Sequence, residues 1–308
     1  MADLPKIRIG TRGSPLALAQ AHETRSRLMA AHGLAQDHFE IVVITTTGDT
    51  VRDRPLADIG GKGLFTKELE EGLFAGTIDL AVHSMKDMPA QIPDGLALAA
   101  LLPREDPRDA FISLTSPSLL SLPHGALLGS SSVRRTAQAL RLRPDLKAVG
   151  FRGNVQTRLR KLEEGIAQAT FLACAGLRRL KLEQHITAVM EVAEMLPAPA
   201  QGAIGLQIQA GRDAVALMLQ PLNHAETDVT VTCERAFMAA LDGSCRTPIA
   251  GHAILKEGEI YFRGESLSLD GRHVFSAERH GALADAEKLG RDAAAEVKAK
   301  GGSLIANP

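Results

Sequence analysis

A lysine and an aspartate stand side by side just after a short apolar run. Ile78-Asp79-Leu80-Ala81-Val82 leads into His83-Ser84-Met85-Lys86-Asp87-Met88-Pro89. The run predicts a buried strand, and Pro89 stops it, because proline cannot continue a sheet interior and restricts the residue before it. Lys86 and Asp87 are therefore expected in the loop at the strand's carboxyl end, where open α/β sheets bind ligands. Arginine recurs in equivalent places. Arg12, the pair Arg134-Arg135, Arg152 with Arg158, and the pair Arg178-Arg179 each follow a predicted strand. Several are expected at helix N-termini, where free N–H groups and the helix dipole already favour anions. The guanidinium fork suits bidentate contact with carboxylate or phosphate. One such arginine would merely solvate a face, whereas four sets in matching positions point to a shared polyanion site.

The three cysteines separate by context. Cys233 lies four residues before Phe237 and eight before Leu241, so it shares their buried helical face. Cys174, within Phe171-Leu172-Ala173-Cys174-Ala175, also reads as core. Cys245 follows a helix stop at Gly243, among small residues and beside Arg246, which favours the thiolate. It is the best candidate for covalent attachment. No CxxC pair and no cysteine–histidine metal spacing occurs, and the sparse, odd count fits a reducing cytoplasm. His83 reads as a core histidine without chemistry.

These residues need a scaffold, and composition bounds it. The chain has 308 residues, 45% hydrophobic and 23% charged, so two or three soluble globular domains are expected. Aromatic content is 3%, with no tryptophan and one tyrosine, and net charge is −1. Neither a stacking platform nor a basic field for nucleic acid is present. The apolar run Leu96 to Leu102 is far too short to cross a bilayer, and the N-terminus shows no apolar signal core.

Along the chain, Lys6 to Gly10 reads as a strand and Thr11-Arg12-Gly13 as a loop. Ser14 then caps a helix with Pro15 at its first position. A strand over Phe39 to Thr45 is followed by a polar loop with Gly48-Asp49, a glycine-dense segment and a helix over Phe65 to Phe74. The glycine segment lacks the spacing of a P-loop. Leu96 to Leu102 is a further strand, and Pro103 to Arg108 is a polar crossing. A second lobe repeats this grammar. It has strands at Phe111–Leu114, Ala126–Gly129, Lys147–Phe151 and Thr170–Ala175, with helices over Val133–Leu142 and from Asn154 to Glu164. A second crossing, Leu196 to Gly202, precedes Ala203 to Gln209, a strand expected to return to the first lobe. Beyond it, a helix over Asp228–Leu241, short strands turning at Glu257-Gly258 and Asp270-Gly271, and a last helix over Leu283–Lys300 describe an α+β domain. The expected division is 1–102 with 203–220, then 103–202, then 221–308. Two crossings between two α/β lobes imply a hinged pair with a cleft.

The motifs Thr11-Arg12-Gly13-Ser14-Pro15-Leu16-Ala17, Gly61-Lys62-Gly63-Leu64-Phe65 and Val82-His83-Ser84-Met85-Lys86-Asp87 resemble those of the porphobilinogen deaminase (hydroxymethylbilane synthase) family. So do Ser131-Ser132-Val133-Arg134-Arg135, Arg152-Gly153-Asn154-Val155, Gln201-Gly202-Ala203 and the Cys245 loop, and the resemblance covers nearly the whole chain. It implies two hinged periplasmic-binding-protein-like α/β lobes plus a small C-terminal α+β domain. It implies a transferase that joins four porphobilinogen units head to tail, releases ammonia from each, and yields 1-hydroxymethylbilane. By resemblance, a dipyrromethane cofactor is attached through Cys245, and Lys62, Lys86, Ser131, Ser132, Arg134 and Arg135 contact it. Asp87 corresponds to the catalytic aspartate. It would stabilise the pyrrole nitrogen that turns cationic when an electron-poor azafulvene is attacked. Arg12, Ser14, Phe65, Arg152, Arg158, Arg179 and Gln201 correspond to substrate contacts, and a monomer is implied. Two positions depart from the usual pattern: Ala200 and Ser244 stand where many relatives have glycine. The rival reading is a non-catalytic anion-binding module, which would have no use for Asp87 or an accessible Cys245.

Overall fold

Ser14 and Pro15 set the first turn of the structure. Strand β1 (Ile7–Arg12) is followed by Ser14, whose Oγ accepts the Ala17 N–H at 3.3 Å. With Pro15 at the first helical position, helix α1 (Pro15–His32) starts there and ends at Gly33 in the left-handed region. The computed structural model describes residues 6–50, 63–241, 247–302 and 304. It divides into two compact units, one of Met1–Asp53, Gly61–Arg104 and Ala203–Asp228, the other chiefly of Glu105–Gly202 and Val229–Pro308.

In the first unit, β2 (Phe39–Ile44), α2 (Thr47–Thr50), α3 (Lys67–Phe74), β3 (Leu80–Ser84) and β4 (Leu96–Leu101) follow β1 and α1. In the second, β5 (Asp109–Ser113), β6 (Leu127–Gly129), α4 (Val133–Leu142), β7 (Lys147–Val149), α5 (Val155–Glu163), β8 (Ala169–Ala173), α6 (Cys174–Arg179) and β9 (Ala188–Val189) come first in chain order. Strand β10 (Ile204–Gln209) and helix α7 (Asp213–Leu219) belong to the first unit.

The two five-stranded sheets share one strand order. The first runs β2-β1-β3-β10-β4, with β1 parallel to β2 and β3, and β10 antiparallel to β3 and β4. The second runs β7-β6-β8-β5-β9, with β6 parallel to β7 and β8, and β5 antiparallel to β8 and β9. These are the two α/β lobes expected from the sequence, and β10 returns to the first as expected. Ile9, Leu28, Leu80, Ile204 and Leu206 fill the first core, and Phe111 meets Phe171 edge-on at 5.7 Å in the second.

Helix α8 (Ala225–Ala240) precedes the antiparallel meander of β11 (Ile249–Lys256), β12 (Glu259–Leu267) and β13 (Val274–Ala282), and helix α9 (Ala286–Gly301) closes the chain's α+β part. Cys233 and Phe237 of α8 pack with Phe262 of the sheet and with Leu289, Ala293 and Val297 of α9. Glu257 and Gly258 both have positive φ and make the tight two-residue hairpin. Asp270-Gly271 instead lies in the longer loop between Leu267 and Val274.

Several local expectations shift. Thr11 and Arg12 finish β1 rather than forming a loop, because Val43 and Ile44 of β2 still pair with them. Gly48 and Asp49 lie on the short helix α2. Helix α3 starts at Lys67, since Gly63 at φ +85° turns the chain and its carbonyl accepts the N–H groups of Thr66 and Lys67. The run Thr170–Ala175 divides at Ala173, the last residue with a partner on β5; Cys174 N–H donates to Arg108 O and opens α6. Arg178 and Arg179 therefore lie at the C-terminal end of a short helix, not in a loop at a helix N-terminus. The helix stop expected at Gly243 falls outside the described residues.

Candidate active site

Strand β3 places the central pair. Leu80, Ala81 and Val82 are buried, and after Ser84 the chain makes one 3₁₀ turn, Met85–Asp87, before Pro89. Met85 anchors that turn. Its N–H donates to Ala203 O at 3.0 Å, and its fully buried side chain lies against Gly205 of β10, where a Cβ would collide with the Met85 sulfur. Lys86 and Asp87 therefore leave the sheet at a fixed point at the carboxyl end of β3, with the Asp87 side chain exposed. This is the placement the sequence predicts.

A pocket in the first unit brings Arg12, Ser14, Phe65 and Asp87 together, four of the residues singled out above. Arg12 grips Asp49 with Nε at 3.1 Å from Oδ2 and Nη2 paired to Oδ1, and its guanidinium stacks 4.0 Å from the centre of the Phe65 ring. Burial pushes the Asp49 carboxyl up, but hydrogen bonds from Arg12 and Thr46 outweigh it and hold the group below the usual range. Ser14 spends its hydroxyl on the α1 cap. His83 also lines the pocket, buried, with Nε2 2.9 Å from Gln207 Oε1. Gln20 and Ser84, hydrogen-bonded at 2.8 Å, form another part of the wall.

In the second unit the sequence-predicted residues gather around one acid that sequence reading missed. Asp109, the first residue of β5, is fully buried. Its Oδ2 accepts Arg134 Nη1 at 2.8 Å; its Oδ1 accepts Arg135 Nε and Nη2 at 2.9 and 2.6 Å and Gln201 Nε2 at 3.1 Å. Arg135 Nη1 also donates to Phe171 O, and Gln201 Nε2 to Pro107 O. Burial pushes the Asp109 carboxyl up, yet the two guanidinium groups pull it well below the ordinary carboxylate range. Burial likewise lowers Arg134, against the pull of Asp109. Two cations on one carboxylate leave surplus positive charge in a dry setting, which favours an anionic ligand. The readable signal for Asp109 was an acid at the head of an apolar strand, Asp109-Ala110-Phe111-Ile112.

The remaining residues lie at element ends or, for Arg158, within α5. Ser132 Oγ caps α4 by accepting Arg135 N–H at 3.4 Å, and Ser131 Oγ accepts Phe151 N–H at 3.0 Å. Arg158 Nε donates to Gly153 O, Arg179 Nη2 to Gly202 O, and Arg152 O accepts Lys161 Nζ. Lys62 and Cys245 lie outside the described residues. Cys174 and Cys233 are buried as expected, and desolvation pushes their thiols up to about 11 and about 12. Among the described residues, no group of three or more His, Cys, Asp or Glu side chains could hold a metal ion.

Fold and site define an α/β protein with arginine-rich sheet ends and a carboxylate held at a strand terminus, suited to an anionic substrate. Comparison with known families narrows this class. Residues 7–216 match the family model described as porphobilinogen deaminase, dipyromethane cofactor binding domain, and residues 229–299 match porphobilinogen deaminase, C-terminal domain. The chain is 58% identical over 294 residues to porphobilinogen deaminase of Paracoccus denitrificans (strain Pd 1222), covering 96% of this chain and 94% of that one. It is 55% identical over 307 residues to the chloroplastic porphobilinogen deaminase of Oryza sativa subsp. japonica, covering 98% and 86%. Among solved structures, the periplasmic aliphatic sulphonate binding protein SsuA of Escherichia coli is similar at 14% identity and a TM-score of 0.41, covering 78% of this chain and 71% of that one. The chain belongs to the porphobilinogen deaminase family.

Proposed function

We propose that the chain is a transferase that condenses four porphobilinogen molecules head to tail, with loss of ammonia at each addition, and releases 1-hydroxymethylbilane by hydrolysis. The observation that carries this reading is the pocket at the end of β3, where Asp87 stands with Arg12 and Phe65 in a chain of this family. Asp87 is the catalytic residue. Its exposed carboxylate, fixed by the Met85 anchor, stabilises the positive charge that develops on a pyrrole nitrogen of the substrate during attack and assists proton transfer at the aminomethyl group. Arg12, Arg152, Arg158 and Arg179 hold acetate and propionate groups of the substrate, with Ser14, Phe65 and Gln201 completing its contacts.

Dipyrromethane fits the residues present. It is an acidic group, and the surplus positive charge around Asp109 is complementary to it. We assign its attachment to Cys245 and its carboxylates to Arg134, Arg135, Lys62 and Lys86, with Ser131 and Ser132 beside them. When bound, it supplies the pyrrole terminus to which substrate units are joined. Of the three cysteines, two are buried with raised pKa values, which leaves Cys245 for the thioether. No helix among the described residues is long and apolar enough to cross a membrane. A cytoplasmic monomer acting on a small molecule, without nucleic acid or membrane partners, is the setting we assign.

Intact-mass measurement beside a Cys245→Ser variant tests the anchor: the wild-type chain carries two linked pyrroles and the variant does not. If wild-type chain supplied with porphobilinogen stays bare, the assignment fails. Asp87→Asn tests the chemistry, with turnover expected to collapse while porphobilinogen still binds. Turnover retained by this variant would refute the role of Asp87.

A further inference from the structure

Glu265 is fully buried on β12, in the α+β part of the second unit, and faces helix α4 rather than solvent. Its Oε1 accepts Gln138 Nε2 at 2.8 Å. The same amide nitrogen donates to Leu196 O at 3.0 Å, and Gln138 Oε1 accepts Arg134 Nη1 at 3.0 Å. Both partners of the Gln138 nitrogen are acceptors, while Arg134 offers donors alone. The amide has one workable orientation, with its oxygen towards the guanidinium. Remove Glu265 and only Leu196 O remains to hold it; a flipped amide would then set N–H against N–H at Arg134. The second Glu265 oxygen lies 3.6 Å from the guanidinium groups of Arg141 and Arg263 and has no hydrogen bond among the described residues. Gln138 thus supplies the carboxylate's side-chain hydrogen bond among the described residues, while Arg141 and Arg263 act on its second oxygen as ion pairs.

We propose that Glu265 is a positioning residue that acts through Gln138 to fix the Arg134 guanidinium for the carboxylates of the pyrrole cofactor. This rests on the assignment of Arg134 to that cofactor. Chemistry on the second α/β lobe is thereby tuned by a residue from the α+β part, the same part that carries Cys245.

The test follows cofactor loading instead of turnover. Full-length wild-type, Glu265→Leu, Glu265→Gln, Arg134→Gln and Glu265→Leu/Arg134→Gln chains, each prepared free of the cofactor and checked bare by mass, are incubated with porphobilinogen, and the gain of two linked pyrroles is timed by intact mass. Loss of one well-made buried hydrogen bond predicts that Glu265→Leu loads about fivefold to tenfold more slowly. Glu265→Gln keeps an oxygen for Gln138 and loads within about twofold of wild type. In the double variant, Glu265→Leu adds nothing to the Arg134→Gln defect, because it acts only through that side chain. Additive defects, or Glu265→Gln failing as badly as Glu265→Leu, would overturn the proposal. Normal loading by Arg134→Gln alone would overturn the cofactor assignment itself, and the proposal with it. Should Glu265→Leu not yield folded chain, Gln138→Leu breaks the same relay and is held to the same outcomes.

Discussion

Replacing Asp109 with asparagine removes one negative charge from between two buried guanidinium groups and leaves the shape nearly unchanged. Asp109 Oδ1 receives two donors of Arg135 and one of Gln201, and Oδ2 receives Arg134, all at 2.6–3.1 Å. An asparagine oxygen can keep the Oδ1 contacts, but its NH₂ then confronts Arg134 Nη1, donor against donor. Breaking a buried pair from one side costs about 3–5 kcal/mol, and the retained contacts put this case near the lower end, about 3 kcal/mol. For a folding unit of about 150–250 residues that is a fall in melting temperature of roughly 6–12 °C. Far-ultraviolet circular dichroism reads it directly. The pH dependence has a fixed sign. A carboxyl held below its ordinary value contributes stability that is complete above the unfolded pKa, near about 3.9, and is lost as pH falls through the lower folded value. The wild-type advantage should hold from pH 7 to about pH 5 and shrink in stronger acid. A variant melting within about 2 °C of wild type at pH 7, or a gap that widens towards acid, would refute the reasoning.

Three further outcomes follow from the same geometry. In Arg12→Ala, burial of Asp49 is no longer offset by the guanidinium, so its carboxyl should titrate at higher pH than in wild type, as carbon-detected NMR would show; an unchanged titration would mean Arg12 does not hold it. At Gly290 of α9, a Cβ would strike the Cys233 carbonyl and the Phe237 nitrogen of α8, at 2.9 Å from the latter. Gly290→Ala should cost about 1–3 kcal/mol by overpacking, and a wild-type denaturation midpoint would contradict that helix contact. Alkylation of the native chain at neutral pH should spare Cys174 and Cys233, whose thiols burial has pushed up to about 11 and about 12, with both reacting after unfolding. Peptide mass spectrometry showing native labelling of either would count against their burial.

Much of the site was legible because its signals are local. Ser14-Pro15 marks a helix start wherever it occurs beside an apolar strand, and Asn154 caps α5 through Thr157 N–H as its type predicts. Apolar runs of β3, β5 and β8 need burial on both faces, so two covered α/β sheets follow from pattern alone. Position relative to a proline placed Asp87 at the end of β3. Where the sequence reading slipped, the cause was pairing between distant segments: Arg12 stays in strand because β2 extends that far, and Cys174 leaves it because β5 does not.

The partners of the arginines belong to the tertiary structure alone. Asp109 lies 25 residues from Arg134 and 92 from Gln201, and Glu265 lies 127 from Gln138. Nothing in a linear pattern ties an acid heading a strand to two guanidinium groups on a helix. By itself the sequence determined which groups carry charge, where the strands end and which side chains leave those ends, because propensity, capping and periodicity act over a few residues. Only the folded chain decided which charges meet, because the net worth of an ion pair or a buried amide depends on distance and on the exclusion of water, and both are set by packing between segments far apart in sequence.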